Sequence, residues 1–234
     1  MFKQKEYLDW KKWEPNSFGQ ITRKESKQFS LELRSLKLNP PMRILEIGFG
    51  NGRFLTWARL QGFDIEGIEQ NPLLVESAQK KGFLASLSSE NQDYGKEKFD
   101  LIAAWDVLEH LTHDEIEICL KHVRTALVPG GYFVAKFPNA DSPLGLAHQN
   151  GDITHRTAIG YHKWIYFTQQ SQMKIVCIRG TKKVIWYRNP VVTAFKSLNW
   201  FYRKIAQWLY SKLFLTHYKT DYFSADTLTI IKKD

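Results

Sequence analysis

The 234-residue sequence has only two cysteines, Cys119 and Cys177, and it is also poor in proline (8 residues) and glycine (14 residues). Two cysteines cannot form a disulfide scaffold, and these two lack the spacing of metal ligands. We expect both to be buried as small apolar side chains, as free cysteines usually are. The low content of glycine and proline, together with 43% apolar residues, excludes a disordered, low-complexity or fibrous chain.

Long hydrophobic runs are also absent. No uncharged apolar stretch approaches the roughly 20 residues that a membrane-spanning helix needs. The first residues, MFKQKEYLDWKKWE, lack the apolar core of a secretory signal. These absences predict a soluble protein of a reducing compartment, most simply the cytoplasm. The length favours one domain, or one domain with an appendage.

Positive charge and aromatic residues are in excess: the formal net charge is +9, and there are 15 Phe, 10 Tyr and 8 Trp. The charge is unevenly distributed, since residues 41–140 carry −4 whereas residues 1–40 carry +4 and residues 141–234 carry +9. A uniformly basic chain would suggest nucleic-acid binding throughout. An acidic middle between basic ends instead indicates that the middle and the ends have different roles.

The apolar pattern predicts an α/β fold. Two helices with charged faces are predicted over residues 3–13 and 20–37, before the Asn39-Pro40-Pro41 break. From Arg43 onward, strands alternate with helices, which predicts right-handed βαβ crossovers. The expected architecture is a Rossmann-like, seven-stranded, mostly parallel, doubly wound sheet with helices on both faces. The predicted strands cover residues 43–48, 63–69, 83–88, 99–108, 132–139, 173–180 and 226–233, and the predicted helices of this part cover residues 54–62, 71–82, 113–127 and 191–218.

A glycine-rich turn follows the first predicted strand, in the segment from Glu46 to Gly52 that reads EIGFGNG. Glycines there let the backbone turn tightly and pass close to a ligand. Glu69 comes seventeen residues after Gly52, at the end of the next strand, where an acid can accept hydrogen bonds from both hydroxyls of a ribose. An ordinary βα turn is the alternative, but the glycines, the spacing to Glu69 and the βαβ context together favour a nucleoside site.

The spacing of this turn argues against a dinucleotide. It is G-x-G-x-G, and Arg53 stands where a dinucleotide site has its third glycine. The Glu46 carboxylate would repel a pyrophosphate, whereas it suits a ligand with a cationic amino group and no phosphate. S-adenosylmethionine has that character, and an NAD-dependent oxidoreductase is disfavoured.

Several motifs resemble those of class I S-adenosylmethionine-dependent methyltransferases over about residues 40–180. ILEIGFGNGRFL resembles their first motif, GIEQNP their ribose-binding segment, and LVPGGYFVAKFPN their fifth strand. FDLIAAWDVLEHL is similar to the branch that contains ubiquinone-biosynthesis O-methyltransferases and polysaccharide or sugar methyltransferases. The resemblance implies that the methionine end is held by Glu46, Gly48, Phe49, Gly50 and Gly52, the ribose by Glu69, the adenine by Gln70 and Ser88, and the sulfonium end by Trp105 and Asp106.

Two histidines are candidates for a general base that takes a proton from a hydroxyl acceptor. We favour His155, because Asp152 precedes it by three residues and could orient its imidazole. Bracing of the loop is the alternative for His155, and a helix-start role is the alternative for His110. Asp106 could instead act electrostatically near the methyl group that is transferred. No metal site is predicted, since nothing in the spacing of the acids demands one.

A basic, aromatic insertion is predicted over residues 191–219, between the last two strands of a domain that covers residues 41–234. It contains no acid, and its apolar residues follow the helical period: Val191, Phe195, Leu198, Phe201, Ile205, Trp208, Leu209 and Leu213. Lys196, Arg203, Gln207 and Ser211 fall opposite, together with Trp200. The insertion fits an interfacial membrane helix, a helix packed on the sheet, or a lid over the substrate. Residues 1–40, which carry Tyr7, Trp10 and Trp13 among Lys5, Lys11 and Lys12, are expected to be a lid from the other side.

These features predict an O-methyltransferase that uses S-adenosylmethionine and acts on a hydroxyl of a small or carrier-linked acceptor, such as a sugar of a surface polysaccharide. The WDVL sequence after strand four favours oxygen, since methylases of bases and side-chain amides resemble one another in a different element there. An RNA methyltransferase and a non-catalytic S-adenosylmethionine-binding scaffold are the alternatives, and nucleic acid is the less favoured partner. Peripheral contact with the inner face of a membrane through residues 191–219 remains open.

Overall fold

The computed structural model describes residues 4–13, 17–88, 93–183, 189–213 and 221–234. The helices are α1 (Gln4–Lys11), α2 (Arg23–Leu33), α3 (Arg53–Leu60), α4 (Pro72–Lys80), α5 (His113–Ala126), α6 (Leu146–Asn150), α7 (Tyr161–Ser171) and α8 (Pro190–Leu213). The strands are β1 (Arg43–Ile47), β2 (Asp64–Glu69), β3 (Leu84–Leu87), β4 (Phe99–Trp105), β5 (Leu127–Pro138), β6 (Lys174–Gly180) and β7 (Asp226–Lys232). Short 3₁₀ turns cover Arg34–Leu36 and Leu108–His110.

The seven strands form one sheet in the order β3-β2-β1-β4-β5-β7-β6. Strands β1 to β5 pair in parallel, whereas β7 runs antiparallel to both β5 and β6. This confirms the predicted Rossmann-like fold. The order of the strands reverses at β1 and β4, and ligands bind beyond the carboxyl ends of the strands at such a reversal.

The centre of the sheet is buried on both faces. In β4 the side chains of Leu101, Ile102, Ala103 and Ala104 are fully buried, so this strand is a continuous apolar run rather than an alternating one. Trp164 of α7 is also fully buried, and its indole N–H donates to Oγ1 of Thr229 at 2.8 Å. The two faces of β4 therefore hold the two halves of the core, and the polar residues that follow the strand have a rigid base.

The first helices pack on the sheet domain. One buried cluster contains Leu8 of α1, Leu33 of α2, and Phe18 from the segment between these two helices. The same cluster contains Phe54 and Trp57 of α3. Helix α2 begins later than predicted, at Arg23, because Thr22 and Glu25 form a reciprocal capping box. The N-terminal residues thus lie against the helix that follows the glycine-rich turn.

Several predicted boundaries were wrong for local reasons. Strand β4 ends at Trp105 rather than at residue 108, because Asp106 has a φ of +56° and leaves the extended conformation. Strand β5 begins at Leu127, which already pairs with Phe99 across an irregularity in the register. Helix α8 is described to Leu213, and the predicted remainder of it falls in residues 214–220, outside the described residues.

The two cysteines differ in burial, since Cys119 is buried as expected and Cys177 is only half-buried.

In the described part of the chain, no helix combines the length and the apolar character required for a membrane crossing.

Candidate active site

The glycine-rich turn lies directly beyond β1, at the carboxyl edge of the sheet. Gly48, Gly50 and Gly52 have φ values of +64°, +51° and +70°, a left-handed conformation that residues with a Cβ rarely adopt. A Cβ on Gly48 would also lie 2.6 Å from Cγ2 of Val107. Gly52 is the N-cap of α3 and donates its N–H to the carbonyl of Phe49 at 2.9 Å. The turn is thus closed tightly, and other side chains approach its glycines closely.

Glu46 is buried within β1 beneath this turn, and only 2% of it is exposed. Its Oε2 has no hydrogen-bond partner among the described residues. Burial raises the pKa of the Glu46 carboxyl well above its usual range, the N–H of Leu55 acts against this, and the nearby Glu69 raises the pKa further. A buried carboxyl with one unpartnered oxygen at this position fits a ligand that brings a cation.

Glu69, the last residue of β2, is tied to the same turn. Its Oε2 accepts the N–H of Gly50 at 2.9 Å, and its Oε1 accepts the N–H groups of Gln70 at 2.8 Å and Asn71 at 3.1 Å. Burial raises the pKa of Glu69, although these hydrogen bonds act to lower it. A carboxylate has about four acceptor sites, and these bonds fill both on Oε1 and one on Oε2, so Glu69 is held rigidly and can still accept a hydroxyl donor at Oε2.

The end of β4 supplies the floor of the site. The ring of Trp105 contacts Phe29 and Phe54 with centroids 5.2 and 5.4 Å away, and its indole N–H is buried with no hydrogen-bond partner in the described residues. Asp106 follows, and its Oδ2 lies 2.5 Å from Nζ of Lys136 in β5. Burial alone would lower the pKa of Lys136, but Asp106 and Asp226 raise it, so the ammonium form is favoured.

One cleft of about 2100 Å³ brings most of the predicted cofactor residues together. This volume exceeds the usual range of about 300–1000 Å³ for a single-ligand pocket and has room for a cofactor and an acceptor. The predicted residues that line it are Glu46, Gly48, Phe49, Gly50, Glu69, Gln70, Ser88, Trp105, Asp106 and His110. Gly52, Asp152 and His155 do not line it.

His110 is the histidine that faces the cleft, from the 3₁₀ turn after β4. Its Nδ1 lies 2.9 Å from Oγ1 and 3.3 Å from the carbonyl oxygen of Thr154. Because a carbonyl can only accept, Nδ1 carries the proton and Nε2 of the neutral ring is an acceptor. Burial lowers the pKa of His110, and the neighbouring His155 lowers it further. The ring is therefore neutral at physiological pH.

His155 lies behind His110, with the ring centroids 4.7 Å apart and only 8% of its side chain exposed. Its Nδ1 donates to the carbonyl of Gln149 at 3.0 Å, while its Nε2 lies 3.6 Å from Oδ2 of Asp152 and 3.9 Å from Oε1 of Glu109. The preferred candidate base from the sequence therefore lies outside the cleft lining, and the second candidate lies in it.

Asp152 does not orient His155 by a hydrogen bond. Its Oδ1 accepts the hydroxyl of Thr154 at 2.5 Å, and its Oδ2 accepts the ammonium of Lys11 at 2.8 Å. Burial would raise the pKa of Asp152, but the hydrogen bonds from Lys11 and Thr154 outweigh it and lower the pKa to about 2. Asp152 thus supports His110 through Thr154 and ties α1 to the loop after α6.

Glu109 was not singled out from the sequence. It is 1% exposed, its carboxyl oxygens have no hydrogen-bond partner among the other described residues, and burial raises its pKa well above the usual range. One ligand atom each of Glu109, His110 and His155 lies within 4.8 Å of the others, a grouping that could hold a metal ion. His155 is far from Glu109 and His110 along the chain, so the spacing of these residues in the sequence did not indicate this possible metal site.

The N-terminal segment reaches the same cleft. Trp13 lies over the glycine-rich turn, so that a Cβ on Gly50 would come within 2.8 Å of its ring. Lys11 lines the cleft, whereas Trp10 is 41% exposed and Lys12 is exposed. The side chains of Lys5 and Tyr7 lie outside the described residues.

Comparisons with known proteins place this arrangement in a family. Residues 21–231 match the model of a methyltransferase domain family. An uncharacterized methyltransferase of Synechocystis sp. is 23% identical over 113 residues, which are 47% of this chain and 53% of that protein, so the match spans about half the length of that relative.

Solved structures share the fold. An S-adenosylmethionine-dependent methyltransferase from Archaeoglobus fulgidus aligns with a TM-score of 0.65 and 19% identity, over 89% of this chain and 94% of that one. A TehB-like S-adenosylmethionine-dependent methyltransferase from Corynebacterium glutamicum aligns with a TM-score of 0.61 and 15% identity, over 99% and 98%. Since the family model covers nearly the whole chain, the protein belongs to this methyltransferase domain family.

Proposed function

We propose that the enzyme methylates a hydroxyl oxygen of an anionic acceptor and that His110 is the base. The observation that carries this proposal is the imidazole of His110 in the lining of the cleft, whose Nδ1 is engaged by Thr154 and thereby leaves Nε2 as the acceptor of the ring. A hydroxyl must lose its proton as it becomes an ether, and in this proposal Nε2 of His110 takes that proton. A carboxylate acceptor would need no such base.

The cofactor residues have separate tasks in this proposal. Bound S-adenosylmethionine supplies an electrophilic methyl group on a sulfonium. Glu46 would hold the cationic amino group, because its buried Oε2 has no other partner in the described residues. Glu69, fixed by three backbone N–H groups, would accept a ribose hydroxyl at Oε2. Trp105 and Asp106, which line the same cleft, would lie at the reacting end, where alignment of acceptor and methyl provides much of the rate.

The acceptor half of the cleft supports an anionic acceptor. Its wall is formed by residues of α2, of the segment 181–183 that follows β6, and of α8, and it carries Lys24, Lys182, Lys183, Lys196 and Arg203 together with Trp200. The acids on this wall are already neutralised: Glu25 pairs with Arg53 at 2.6 Å and Glu32 with Arg179 at 2.5 Å. The surplus cations suit a phosphate or carboxylate, and an aromatic face such as Trp200 suits a sugar or phenol ring.

The test is methyl transfer from labelled S-adenosylmethionine to dihydroxybenzoate and to UDP-glucose, beside aminobenzoate and transfer RNA. The expected result is an O-methylated product from a hydroxyl compound, and His110→Asn is expected to lower kcat by about 10²- to 10⁴-fold with unchanged cofactor affinity. The matched control is His113→Asn, which changes an exposed histidine at the start of α5. Methylation of only the amine or the RNA would contradict the proposal.

A chelator distinguishes the two roles open to the Glu109, His110 and His155 cluster. If His110 acts only as a base, turnover is unchanged after treatment with EDTA and gel filtration. A loss that an added divalent cation restores would assign the three side chains to a metal centre and would remove His110 as the free base.

A further inference from the structure

Helix α8 exposes more large apolar side chains than any other element that the structure describes. None of its residues is buried. Apart from Val192 (37%) and the cleft-lining Trp200 (44%), its exposed apolar residues are Val191 (74%), Phe195 (65%), Leu198 (69%), Phe201 (58%), Tyr202 (71%), Ile205 (43%), Trp208 (60%), Leu209 (45%) and Leu213 (70%). A contiguous apolar surface of this kind on a helix marks an interaction site rather than ordinary surface variation.

The polar face of α8 is directed at the cleft. Lys196, Asn199, Trp200 and Arg203 line the cleft. Further along the same side, Gln207 accepts the N–H of Phe223 at 3.3 Å, and the ring of Tyr210 contacts those of Tyr222 and Phe223.

At 100° per residue, the exposed apolar residues fall on the opposite half of the helix, away from the domain. The apolar stripe is therefore not packed on the sheet, which was one of the three possibilities open from the sequence. The same helix serves the cleft with one side and presents an uncovered apolar side to its surroundings.

The charge of α8 selects among possible partners for the apolar face. The helix contains four cations and no acid from Pro190 to Leu213. Lys204 lies beside the apolar face and Lys212 lies within it, near the C-terminal end. Long cationic side chains at these positions can extend their ammonium groups to lipid phosphates while their stems stay among apolar groups. A second copy of the chain would instead bring two helices of the same charge together.

We propose that the outward face of α8 lies on the surface of a bilayer that contains anionic lipid. Such a surface offers both the apolar layer and the negative charge that this face matches, and aromatic residues such as Trp208 are favoured at that depth. The helix would lie in the plane of the membrane, over about 36 Å of its length. Because the opposite side of α8 lines the cleft, the enzyme would then hold its acceptor half close to the bilayer. The last consequence rests on the proposed function, whereas the membrane contact does not.

The experiment is flotation of the full-length protein with vesicles of phosphatidylcholine alone and with vesicles that also contain about one third phosphatidylglycerol. We expect binding to the anionic vesicles, weakened by salt because screening reduces attraction between surface charges. The variant Leu198→Glu/Ile205→Glu is expected to bind at least tenfold more weakly. The matched control is Leu60→Glu/Leu84→Glu, which adds the same charges at residues that are 69% and 66% exposed, away from α8. Both variants should keep the wild-type affinity for S-adenosylmethionine, so a folding defect would be recognised.

Three results would overturn the proposal. The first is failure of the wild type to float with the anionic vesicles, and the second is equal binding to both kinds of vesicle. The third is a dimer in sedimentation equilibrium that Leu198→Glu/Ile205→Glu dissociates, since a second copy would then cover the face. Methyl transfer to oxygen is measured separately without vesicles, so its failure cannot be confused with any of these results.

Discussion

Replacing Glu46 with glutamine removes one negative charge from the cofactor site and keeps the shape of the side chain. In the free protein this carboxyl is buried, its Oε2 has no partner in the described residues, and burial together with Glu69 holds its pKa well above the usual range. A bound cationic amino group would favour the carboxylate form and lower that pKa. Cofactor binding by the wild type is therefore expected to release a proton.

The size of the effect follows from the interaction that is lost. A hydrogen bond to a charged group contributes about 1.5–3 kcal/mol, which corresponds to roughly a 10- to 150-fold increase in Kd. Glu46→Gln should show this loss toward S-adenosylmethionine and equally toward S-adenosylhomocysteine, because both carry the amino group. The control Glu66→Gln changes a neighbouring residue of β2 that pairs with Lys98 at 2.6 Å and does not line the cleft.

The assay is isothermal titration calorimetry in two buffers with different enthalpies of ionisation. The pKa of Glu46 is higher in the free protein than in the complex, so proton release is expected to be largest at pH values between the two and to vanish above both. Glu46→Gln should abolish the buffer dependence. A change in Kd below threefold, or proton release that persists in the variant, would refute the assignment of Glu46 to the amino group.

Three further predictions concern other parts of the site. Because burial and His155 lower the pKa of His110, the acid limb of the profile of kcat/KM against pH should have its midpoint below 6.5, the ordinary pKa of histidine. His110→Asn should remove that limb. A midpoint at or above 6.5 would argue against His110 as the base. Gly48→Ala should lower the free energy of unfolding by about 1–3 kcal/mol in urea titrations, since Gly48 has a φ of +64° and the added Cβ would meet Val107. Adding Val107→Ala should restore part of the loss. Equal stability of Gly48→Ala and the wild type would contradict the geometry. Asp152→Asn should lower the free energy of unfolding by about 1 kcal/mol in the same titration at neutral pH, because the carboxylate, whose pKa is lowered to about 2, is stabilised by its partners in the folded state. The difference from wild type should shrink as the pH falls from about 4 towards 2 and the carboxylate becomes protonated. A difference that stays constant over this range would exclude the Lys11–Asp152 pair as its source.

Much of the fold could be predicted because its signals are local. Strands β1, β2 and β4 are each a short apolar run with a turn and an amphipathic helix after it, and β4 is buried on both sides as its continuous apolar sequence indicates. The glycines after β1 and the acid at the end of β2 follow the same logic, since their roles depend on adjacent elements. The capping box of Thr22 and Glu25 was also readable from the sequence, and it would have given the correct start of α2.

The parts of the site that sequence reasoning missed depend on contacts between distant segments. Lys136 lies beside Asp106 and Asp226 only because the ends of β4, β5 and β7 are adjacent in the sheet, and its one sequence signal is a lone cation in an apolar strand. The link from Asp152 through Thr154 to His110 joins residues more than forty positions apart. For the same reason the sequence could not decide which histidine faces the cleft.

Helix α8 shows the same division between what is local and what is not. Its period, charge and apolar stripe were all visible in the sequence, and the helix is present. The direction of the stripe depends on where the domain meets the helix, through residues such as Arg203 at the cleft and Tyr210 beside Tyr222. Only the structure shows that the polar side faces the cleft.

The central claim is most directly tested by locating the methyl group that the enzyme transfers. The protein is incubated with S-adenosylmethionine that carries ¹³C in its methyl group and with dihydroxybenzoate, and the product is examined by NMR for the wild type and for His110→Asn. The account predicts a methyl carbon bonded to a hydroxyl oxygen, formed by the wild type and at least a hundredfold more slowly by the variant. A methyl carbon on a ring carbon or on the carboxylate, or an undiminished rate in His110→Asn, would contradict it.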